Sequence, residues 1–218
     1  MNIIAKIRTG FPEKFSVPRQ SGLVETKGEI VFEPEYRNED ALRGIEQYSH
    51  LWLIWDFSEN HRNDWSPTVR PPKLGGNKRV GVFATRSPFR PNPIGLSSVR
   101  LIDVKKTEDG TVLVVSGADL VDNTPIYDIK PYLPYTDCHI DAKGGFGEEK
   151  LQNTQVIYDK EAVKNVSKDR LKEICEILSL DPRPGYHEEE GRIYNMTYDG
   201  LNISFTFENK KIRICTIV

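Results

Sequence analysis

A rigid loop at residues 81–97 carries the side chains best suited to holding a ligand. Its prolines, Pro88, Pro91 and Pro93, each fix φ and push the preceding residue towards extended backbone. Polar groups on such a loop lose little ordering entropy when a ligand binds, so the pattern suits a binding site. The alternative is a proline-rich connection whose arginines face water. The polar side chains in question are Arg86, Arg90 and Asn92.

An acid and a base stand close together on a later predicted strand. Asp128 and Lys130 are two residues apart, so the period of a strand puts both on one face, with Ile126 beside them and Ile129 opposite. Followed by Pro131 and Tyr132, they could frame the rim of a pocket. The residue types alone favour a simpler interpretation, an exposed ion pair contributing well under about 1 kcal/mol.

Positive charge is concentrated around the same loop. Residues 62–106 hold ten basic and two acidic side chains, a net charge of +8 in a chain whose net charge is −2. The rest of the chain therefore carries −10. One basic patch on an acidic protein is typical of binding to a structured anionic partner at a single place. Chance clustering on a solvated surface explains the charge count equally well.

Many short strands must position these side chains. Strands separated by Pro, Gly and Asn, with no alternation of strand and helix, predict a mainly β fold. We expect a single-sheeted antiparallel β-barrel. Ala41–Tyr48 is expected to form one or two helical turns. The predicted strands are Ile3–Arg8, Gly28–Glu33, His50–Phe57, Val80–Thr85, Ile94–Lys105, Thr111–Gly117 and Thr124–Lys130.

A second, smaller unit is predicted after the glycine-rich and charged stretch near residues 141–150. We expect a barrel domain over 1–142 and a small α+β C-terminal domain over 150–218. Apolar residues spaced as on one helix face predict a helix over Arg170–Leu180, ended by the prolines that follow Asp181. Three strands close the chain: Arg192–Tyr198, Leu201–Glu208 and Lys211–Val218.

Several protein classes lose support because their motifs are absent. The chain has no GxGxxG after a strand, no phosphate-binding P-loop, no HExxH and no GxSxG, which disfavours dehydrogenases, nucleotide hydrolases, zinc peptidases and serine hydrolases. Its three cysteines and four histidines show no metal-ligand spacing, so we expect no metal. Unpaired cysteines, the absence of a long apolar run and the lack of a signal-peptide pattern favour a cytoplasmic protein without membrane contact.

The motifs resemble one known family. Residues 83–95, FATRSPFRPNPIG, are similar to the signature of the TsaA-like (TrmO) family of tRNA methyltransferases, and DIKPY at 128–132 resembles its second block. Supporting similarities lie at 15–23, 49–52 and 69–76, and DPRP at 181–184 resembles a block of the family's C-terminal domain. These blocks span essentially the whole chain in the family's order.

The resemblance implies an S-adenosylmethionine-dependent enzyme that methylates N6 of threonylcarbamoyladenosine at position 37, in the anticodon loop of tRNA. It also implies a homodimer with its site near the subunit interface. Asp128 is the candidate proton acceptor, Lys130 could stabilise charge on the carbamoyl oxygen, and Tyr132 completes the expected catalytic set. Arg90 and Asn92 are expected to hold the RNA substrate. The expected cofactor contacts are Arg19, Gln20, Ser21, Ser58, Arg86, Leu96, Asp122, Asn123, Thr124 and Pro125.

Two other functions remain open on the sequence. A non-enzymatic module that binds tRNA or S-adenosylmethionine would keep the arginine-rich loop but would not need both Asp128 and Lys130. A β-barrel hydrolase of a small anionic metabolite would need no large positive surface. Thermal stabilisation by S-adenosylhomocysteine separates the hydrolase from the other two, because only a protein that binds the compound is stabilised by it.

Overall fold

Six antiparallel strands close into a barrel in this computed structural model, which describes residues 1–62, 64–71, 74–75, 77–148, 153–183 and 191–218. The strand order around the barrel is β1-β2-β7-β6-β3-β8. The strands are β1 (Ala5–Thr9), β2 (Lys27–Phe32), β3 (His50–Asp56), β6 (Ile94–Thr107), β7 (Gly110–Ser116) and β8 (Thr124–Pro131), while β4 (Thr68–Val69) pairs with β5 (Val80–Gly81) outside the barrel. The predicted antiparallel barrel is confirmed. Parts of the sequence motifs at 69–76 and 181–184 lie outside the described residues.

Alternating side chains build the barrel interior. Along β3, Leu51, Leu53 and Trp55 are buried, whereas Trp52 and Ile54 between them are partly exposed. Each of these inward residues pairs with a residue on β6; Leu51, for example, lies opposite Val99. Strand β6 has fourteen residues: its first half pairs with β3, and its second half, from Arg100 to Thr107, pairs with β7 up to the hairpin at Gly110.

A β-bulge on β8 places Ile126 on the opposite face from Asp128 and Lys130, with which it was predicted to lie. Ile54 pairs with Asp128 and the next residue of β3, Trp55, pairs with Ile126, so Tyr127 is the extra residue. The bulge reverses the alternation: Ile126 is fully buried in the core, while Asp128 and Lys130 face outward. The prediction that Ile126 shares their face is therefore wrong.

The strand predicted over Val80–Thr85 is also shorter than expected. It ends at Gly81, and Val82–Ala84 forms a turn of 3₁₀ helix instead. The Thr85 backbone N–H and hydroxyl both donate to the carbonyl of Val82, the hydroxyl at 2.8 Å, which closes this turn. Its partner strand, β4, has only two residues, so there are no further backbone groups with which a longer β5 could form hydrogen bonds.

Short 3₁₀ and α-helical turns connect the strands. The turns predicted over Ala41–Tyr48 are present as two 3₁₀ segments. Within the described residues, no helix has the length and apolarity needed to cross a bilayer. The short helices are Lys14–Ser16, Pro34–Tyr36, Glu39–Leu42, Ile45–Gln47, Ser58–Asn60, Val82–Ala84, Gly145–Gly147, Lys160–Val163 and α1 (Pro134–Asp137).

The C-terminal part packs one helix on a four-stranded sheet, which confirms the predicted small α+β unit. The sheet order is β10 (Tyr194–Tyr198), β11 (Leu201–Glu208), β12 (Lys211–Ile217) and β9 (Gln155–Tyr158). Helix α2 (Lys168–Ser179) begins after Ser167, whose hydroxyl accepts a hydrogen bond from the Arg170 backbone. Strand β9, parallel to β12, was not among the predicted strands.

A segment of the N-terminal chain belongs to the C-terminal hydrophobic core. Phe11 and Val24 are buried among residues of α2 and of the C-terminal sheet, with Phe15 and Val17 packed against the same cluster. Gly10 is required at this contact, because a Cβ there would lie 2.7 Å from the ring of Tyr198. The segment between β1 and β2 thus joins the two units.

Candidate functional site

A cavity of about 650 Å³ lies where the segment between β1 and β2 meets the rigid loop at residues 81–97, called here the three-proline loop. Val17, Pro18 and Arg19 form one side, the end of β3 and the residues after it form another, and Thr85 to Leu96 form the third. Its volume lies in the usual range for pockets that bind small molecules. The lining mixes apolar surfaces, such as Phe57 and Leu96, with charged side chains.

Hydrogen bonds within the three-proline loop keep its shape. Arg90 donates from Nη1 to the carbonyls of Thr85 at 3.2 Å and Ser87 at 3.3 Å, so its guanidinium braces the loop that carries it. Arg86 donates to the side-chain oxygen of Gln20, which connects this loop to the opposite wall of the cavity. The sequence therefore places Arg86 and Arg90 in a stiff frame, with both lining the cavity.

Asp119 is a cavity residue that no sequence pattern marked. Trp55 donates from Nε1 to Ser97 Oγ at 2.9 Å, and Ser97 donates to Asp119 Oδ1 at 2.5 Å. Burial raises the pKa of Asp119, and the Ser97 hydrogen bond and the nearby Arg86 charge oppose that rise only partly. A carboxyl group held this way can serve a cationic ligand group. Its partners are far away in sequence, so local inspection of the chain does not find it.

Two glycines allow the walls around Asp119 to approach closely. A Cβ at Gly95 would lie 2.1 Å from Trp55 Cε2, so the indole lies directly on the backbone of β6. Gly117 has φ +83, and its carbonyl oxygen accepts a hydrogen bond from the Gly22 N–H at 2.8 Å. That bond fixes the segment after Gln20 against the turn that carries Asp119.

A second buried acid lies at the end of β3. Asp56 is 7% exposed, and its Oδ1 lies 2.8 Å from His61 Nε2. Desolvation, and to a smaller extent a hydrogen bond with Asp56, raises the pKa of Tyr127. Asp56 also lines the cavity, although no sequence pattern singled it out. Its polar partners fix the strand end from which Ser58 enters the cavity.

The structure brings most, but not all, of the expected contacts together. Eight of the expected residues line the cavity, namely Arg19, Gln20, Ser58, Arg86, Arg90, Asn92, Leu96 and Thr124. Ser21, Asp122, Asn123 and Pro125 are not part of the lining. Ser21 contributes through its backbone, which hydrogen bonds to Asp119 and helps to lower that pKa.

Asp122 has a structural role in the turn before β8. Its Oδ1 accepts from the backbone of Thr9 at 2.9 Å, and its Oδ2 accepts from Asn123 Nδ2 at 2.7 Å. Asn123 takes φ +62 and donates its backbone N–H to Ile7 at 2.8 Å. The pair therefore closes the turn onto β1, and the acid that faces the cavity from this region is Asp119.

Asp128 and Lys130 lie on the outer face of β8, Tyr132 follows directly after that strand, and none of the three is part of the cavity lining. Lys130 Nζ is 2.9 Å from Asp128 Oδ2, with both side chains substantially exposed. Tyr132 packs near Trp52, with ring centroids 5.5 Å apart, and desolvation raises its pKa. Trp52 in turn donates to Asp137 at 2.8 Å. These groups form an aromatic and charged patch separate from the cavity.

The charged groups of the site are not arranged for a metal ion. Within the described ranges, no group of three or more His, Cys, Asp or Glu side chains is placed to coordinate one. The cysteines Cys138, Cys175 and Cys215 are all free thiols.

Comparison with known proteins identifies related sequences. Models of the tRNA-methyltransferase O N-terminal domain and of the TrmO C-terminal domain match residues 6–138 and 151–218. The tRNA (adenine(37)-N6)-methyltransferase of Escherichia coli K12 is 42% identical over 92% of this chain and 89% of its own length. A putative S-adenosylmethionine-dependent methyltransferase of Pseudomonas aeruginosa, RcsF, is 39% identical over 94% of this chain and 90% of its own length.

Solved structures extend the similarity to the fold. The crystal structure of TrmO from Pseudomonas aeruginosa superimposes with a TM-score of 0.79 and 32% identity, covering 100% of this chain and 96% of that one. Matching family models cover both the barrel and the C-terminal unit, and the resemblance expected from the sequence motifs is confirmed. The chain belongs to the TrmO family of tRNA methyltransferases.

Proposed function

We propose that this protein transfers the methyl group of S-adenosylmethionine to N6 of the adenine at position 37 of tRNA, with threonylcarbamoyladenosine as the acceptor. Relatives named tRNA (adenine(37)-N6)-methyltransferase support the reaction. The observation that carries the proposal is the cavity itself, since the three-proline motif, the 17–20 segment and the end of β3 converge on it from distant parts of the chain.

The residues of the cavity fit the methyl donor. Arg19 and Arg86 suit its carboxylate, because guanidinium groups bind carboxylates through paired hydrogen bonds. Phe57 and Leu96 offer apolar surface for the adenine ring. Asp119 suits the cationic end, and the raised pKa of this buried acid is lowered again when a cation lies beside it. When bound, the donor supplies an electrophilic methyl group on a sulfonium centre.

Positioning accounts for much of the rate enhancement that this site can provide. Methyl transfer is an in-line displacement, so holding the acceptor nitrogen against the methyl group removes translational and rotational freedom before reaction. Arg90 and Asn92 line the same cavity, which supports their proposed role in holding the acceptor's carboxylate or a neighbouring phosphate. Arg90 is already braced by the carbonyls of Thr85 and Ser87, which fixes its charge.

The acceptor nitrogen must lose its proton. Asp128 is the proposed proton acceptor, with Lys130 stabilising negative charge on the carbamoyl oxygen and Tyr132 beside them. Because Asp128 and Lys130 lie on the outer face of β8 and Tyr132 follows directly after it, the acceptor must reach that face. We propose a homodimer in which the outer face of one copy completes the cavity of the other.

Mixing two inactive variants tests this arrangement. Asp128→Asn should lower turnover by about 10²- to 10⁴-fold with cofactor affinity unchanged, as expected for loss of a general base. Asp119→Ala should instead weaken S-adenosylhomocysteine binding. If the sites are shared between copies, a mixture of the two variants regains activity. Full turnover by Asp128→Asn removes the base from the scheme, and absence of recovery in the mixture argues against shared sites.

The activity itself is tested with the wild-type protein. S-adenosylhomocysteine should raise the melting temperature, and the protein should transfer labelled methyl groups to tRNA. Comparison of tRNA with and without the threonylcarbamoyl group, read by mass spectrometry of nucleosides, tests the acceptor. A thermal shift without methyl transfer would support a non-enzymatic module, and no shift would support a hydrolase.

The compartment and the domain division belong to the same proposal. We propose a cytoplasmic protein, supported by three free thiols, which suit a reducing compartment. We also propose that residues 1–142 form the cofactor-binding domain and residues 150–218 a C-terminal domain packed on it.

A further inference from the structure

A second, larger groove lies on the other side of the three-proline loop. Its volume is about 1350 Å³, and it shares four lining residues with the cofactor cavity, namely Arg19, Gln20, Thr85 and Arg86. The groove therefore begins at the wall of the cavity. We call it the basic-aromatic groove, after its five arginines (Arg19, Arg62, Arg70, Arg79 and Arg86) and three phenylalanines (Phe83, Phe89 and Phe146).

Positive charge dominates this groove. Five arginines stand against two acids, Asp64 and Glu148, for a net charge of +3 in a protein whose net charge is −2. Among the ion pairs of the described residues, none includes any of the five arginines. Arg79 donates to Thr68 Oγ1 at 2.8 Å, a neutral partner that orients the guanidinium without neutralising it. The charges of Arg62, Arg70 and Arg79 thus remain available to an anionic ligand even when Arg19 and Arg86 hold the methyl donor.

Exposed aromatic rings lie in and beside the groove. Phe83 is 71% exposed and Trp65 is 48% exposed, and the two rings are stacked with centroids 6.0 Å apart. The guanidinium of Arg62 lies 4.0 Å from the ring centroid of Phe89. Flat rings exposed among unneutralised arginines suit unpaired bases and the phosphates between them, because every base can stack on an aromatic face.

We propose that the basic-aromatic groove binds the unpaired nucleotides next to the target adenine, with a base stacked on the Phe83–Trp65 pair and phosphates held by the arginines. The inference rests on the proposed function, in which a tRNA loop is the substrate. It adds the location of that RNA on the protein. Charge favours RNA over a second copy of the chain, since two like-charged grooves would repel each other. Continuity with the cofactor cavity lets a nucleotide in the groove deliver its neighbour to the methyl donor.

The test is direct binding of an anticodon stem-loop RNA, measured by fluorescence anisotropy at several salt concentrations. Phe83→Ala should weaken RNA binding by about 5- to 150-fold, the effect of losing one base–aromatic stack. Arg79→Ala should lower the slope of log affinity against log salt by about 0.7, as expected for one lost phosphate contact on a single strand. Affinity for S-adenosylhomocysteine, measured by calorimetry, should stay unchanged in both variants.

Matched controls come from exposed residues outside the groove. Tyr158→Ala removes a ring that is 43% exposed on β9, and Arg43→Ala removes an exposed arginine paired with Asp40. Neither should change RNA binding. Trp65→Phe keeps a ring in the stack and should retain most of the affinity that Trp65→Ala loses, which separates stacking from loss of folding.

Three results would overturn the inference. RNA affinity unchanged by both Phe83→Ala and Arg79→Ala would exclude the groove as the RNA site. Conversion of a dimer to a monomer by Phe83→Ala, seen by light scattering, would make this face an interface between copies. Equal losses in the control variants would show a nonspecific effect. Failure of the wild-type protein to methylate tRNA that it binds through the groove would instead refute the proposed function and leave this inference standing.

Discussion

Replacing Gly95 by alanine tests the packing around the cavity proposed to bind the cofactor. The added Cβ would lie 2.1, 2.4 and 2.5 Å from three carbons of the Trp55 indole, about 1.3 Å short of ordinary contact at its nearest point. Trp55 is 7% exposed, packs against Phe57 with centroids 4.3 Å apart and donates to Ser97, so the indole cannot move away from the new Cβ without breaking these contacts.

The magnitude follows from these contacts. Overpacking a filled site costs about 1–3 kcal/mol, and losing the Trp55–Ser97 hydrogen bond adds about 0.5–1.5 kcal/mol. We expect Gly95→Ala to lower the free energy of unfolding by about 2–4 kcal/mol, which for a chain of this size lowers the melting temperature by roughly 5–15 °C. Affinity for S-adenosylhomocysteine should fall as well, since Trp55 and Ser97 hold Asp119.

Urea denaturation and calorimetry on matched variants measure both effects. Gly81→Ala is the control, because nothing lies within 4 Å of a Cβ at that position, and its stability should change by less than about 1 kcal/mol. Trp55→Phe combined with Gly95→Ala should recover part of the loss by removing the ring atoms that clash. Equal stability of Gly95→Ala and Gly81→Ala would refute the packing argument.

Three further expectations concern buried charge and backbone conformation. Burial raises the pKa of Asp119 above its ordinary 3.8, so its ionisation opposes folding: the penalty is absent well below pH 3.8, grows as pH rises from there to the folded-state pKa, and is constant above it. Melting curves from about pH 4 to 8 should therefore show Asp119→Asn gaining stability relative to wild type as pH rises, and a constant difference would contradict this. Arg183, 8% exposed, pairs with Asp181 at 2.7 Å and lies 3.5 Å from the centroid of Phe207. Arg183→Ala should cost about 3–5 kcal/mol in urea denaturation, and Arg183→Lys less; a loss below about 1 kcal/mol would show that the pair is dispensable. Asn123 has φ +62, so Asn123→Val should destabilise by about 1–3 kcal/mol while Asn123→Gly is tolerated, and equal melting temperatures would rule out strain there.

Turn chemistry made the C-terminal strands predictable. The predicted strand Leu201–Glu208 is the observed β11, because the residues on either side take positive φ: Asp199 and Gly200 before it, Asn209 and Lys210 after it. Such conformations favour Gly, Asn and Asp, which the sequence displays directly. Strand β9 was missed because it is a four-residue parallel edge strand whose partner, β12, lies more than fifty residues away.

The cavity was only partly predictable for a related reason. Motif residues on one loop, such as Arg86 and Arg90, could be selected from local pattern alone. Asp119 could not, because its importance depends on Ser97 and on burial by a distant segment. The bulge at Tyr127 was equally hidden, since alternation along a strand carries no sign of an inserted residue.

The segment that joins the two units also has a thermodynamic consequence. Phe11, Phe15 and Val17 are anchored in the C-terminal hydrophobic cluster, yet the chain continues from Val17 straight into Pro18 and Arg19 on the wall of the cofactor cavity. We therefore expect looser packing of that cluster to make the cavity wall more mobile. A ligand bound in the cavity should in turn restrict the motion of the cluster. Ligand affinity and C-terminal packing should therefore be linked, and we expect substitutions in α2 or β11 to change the affinity of the cavity for its ligand.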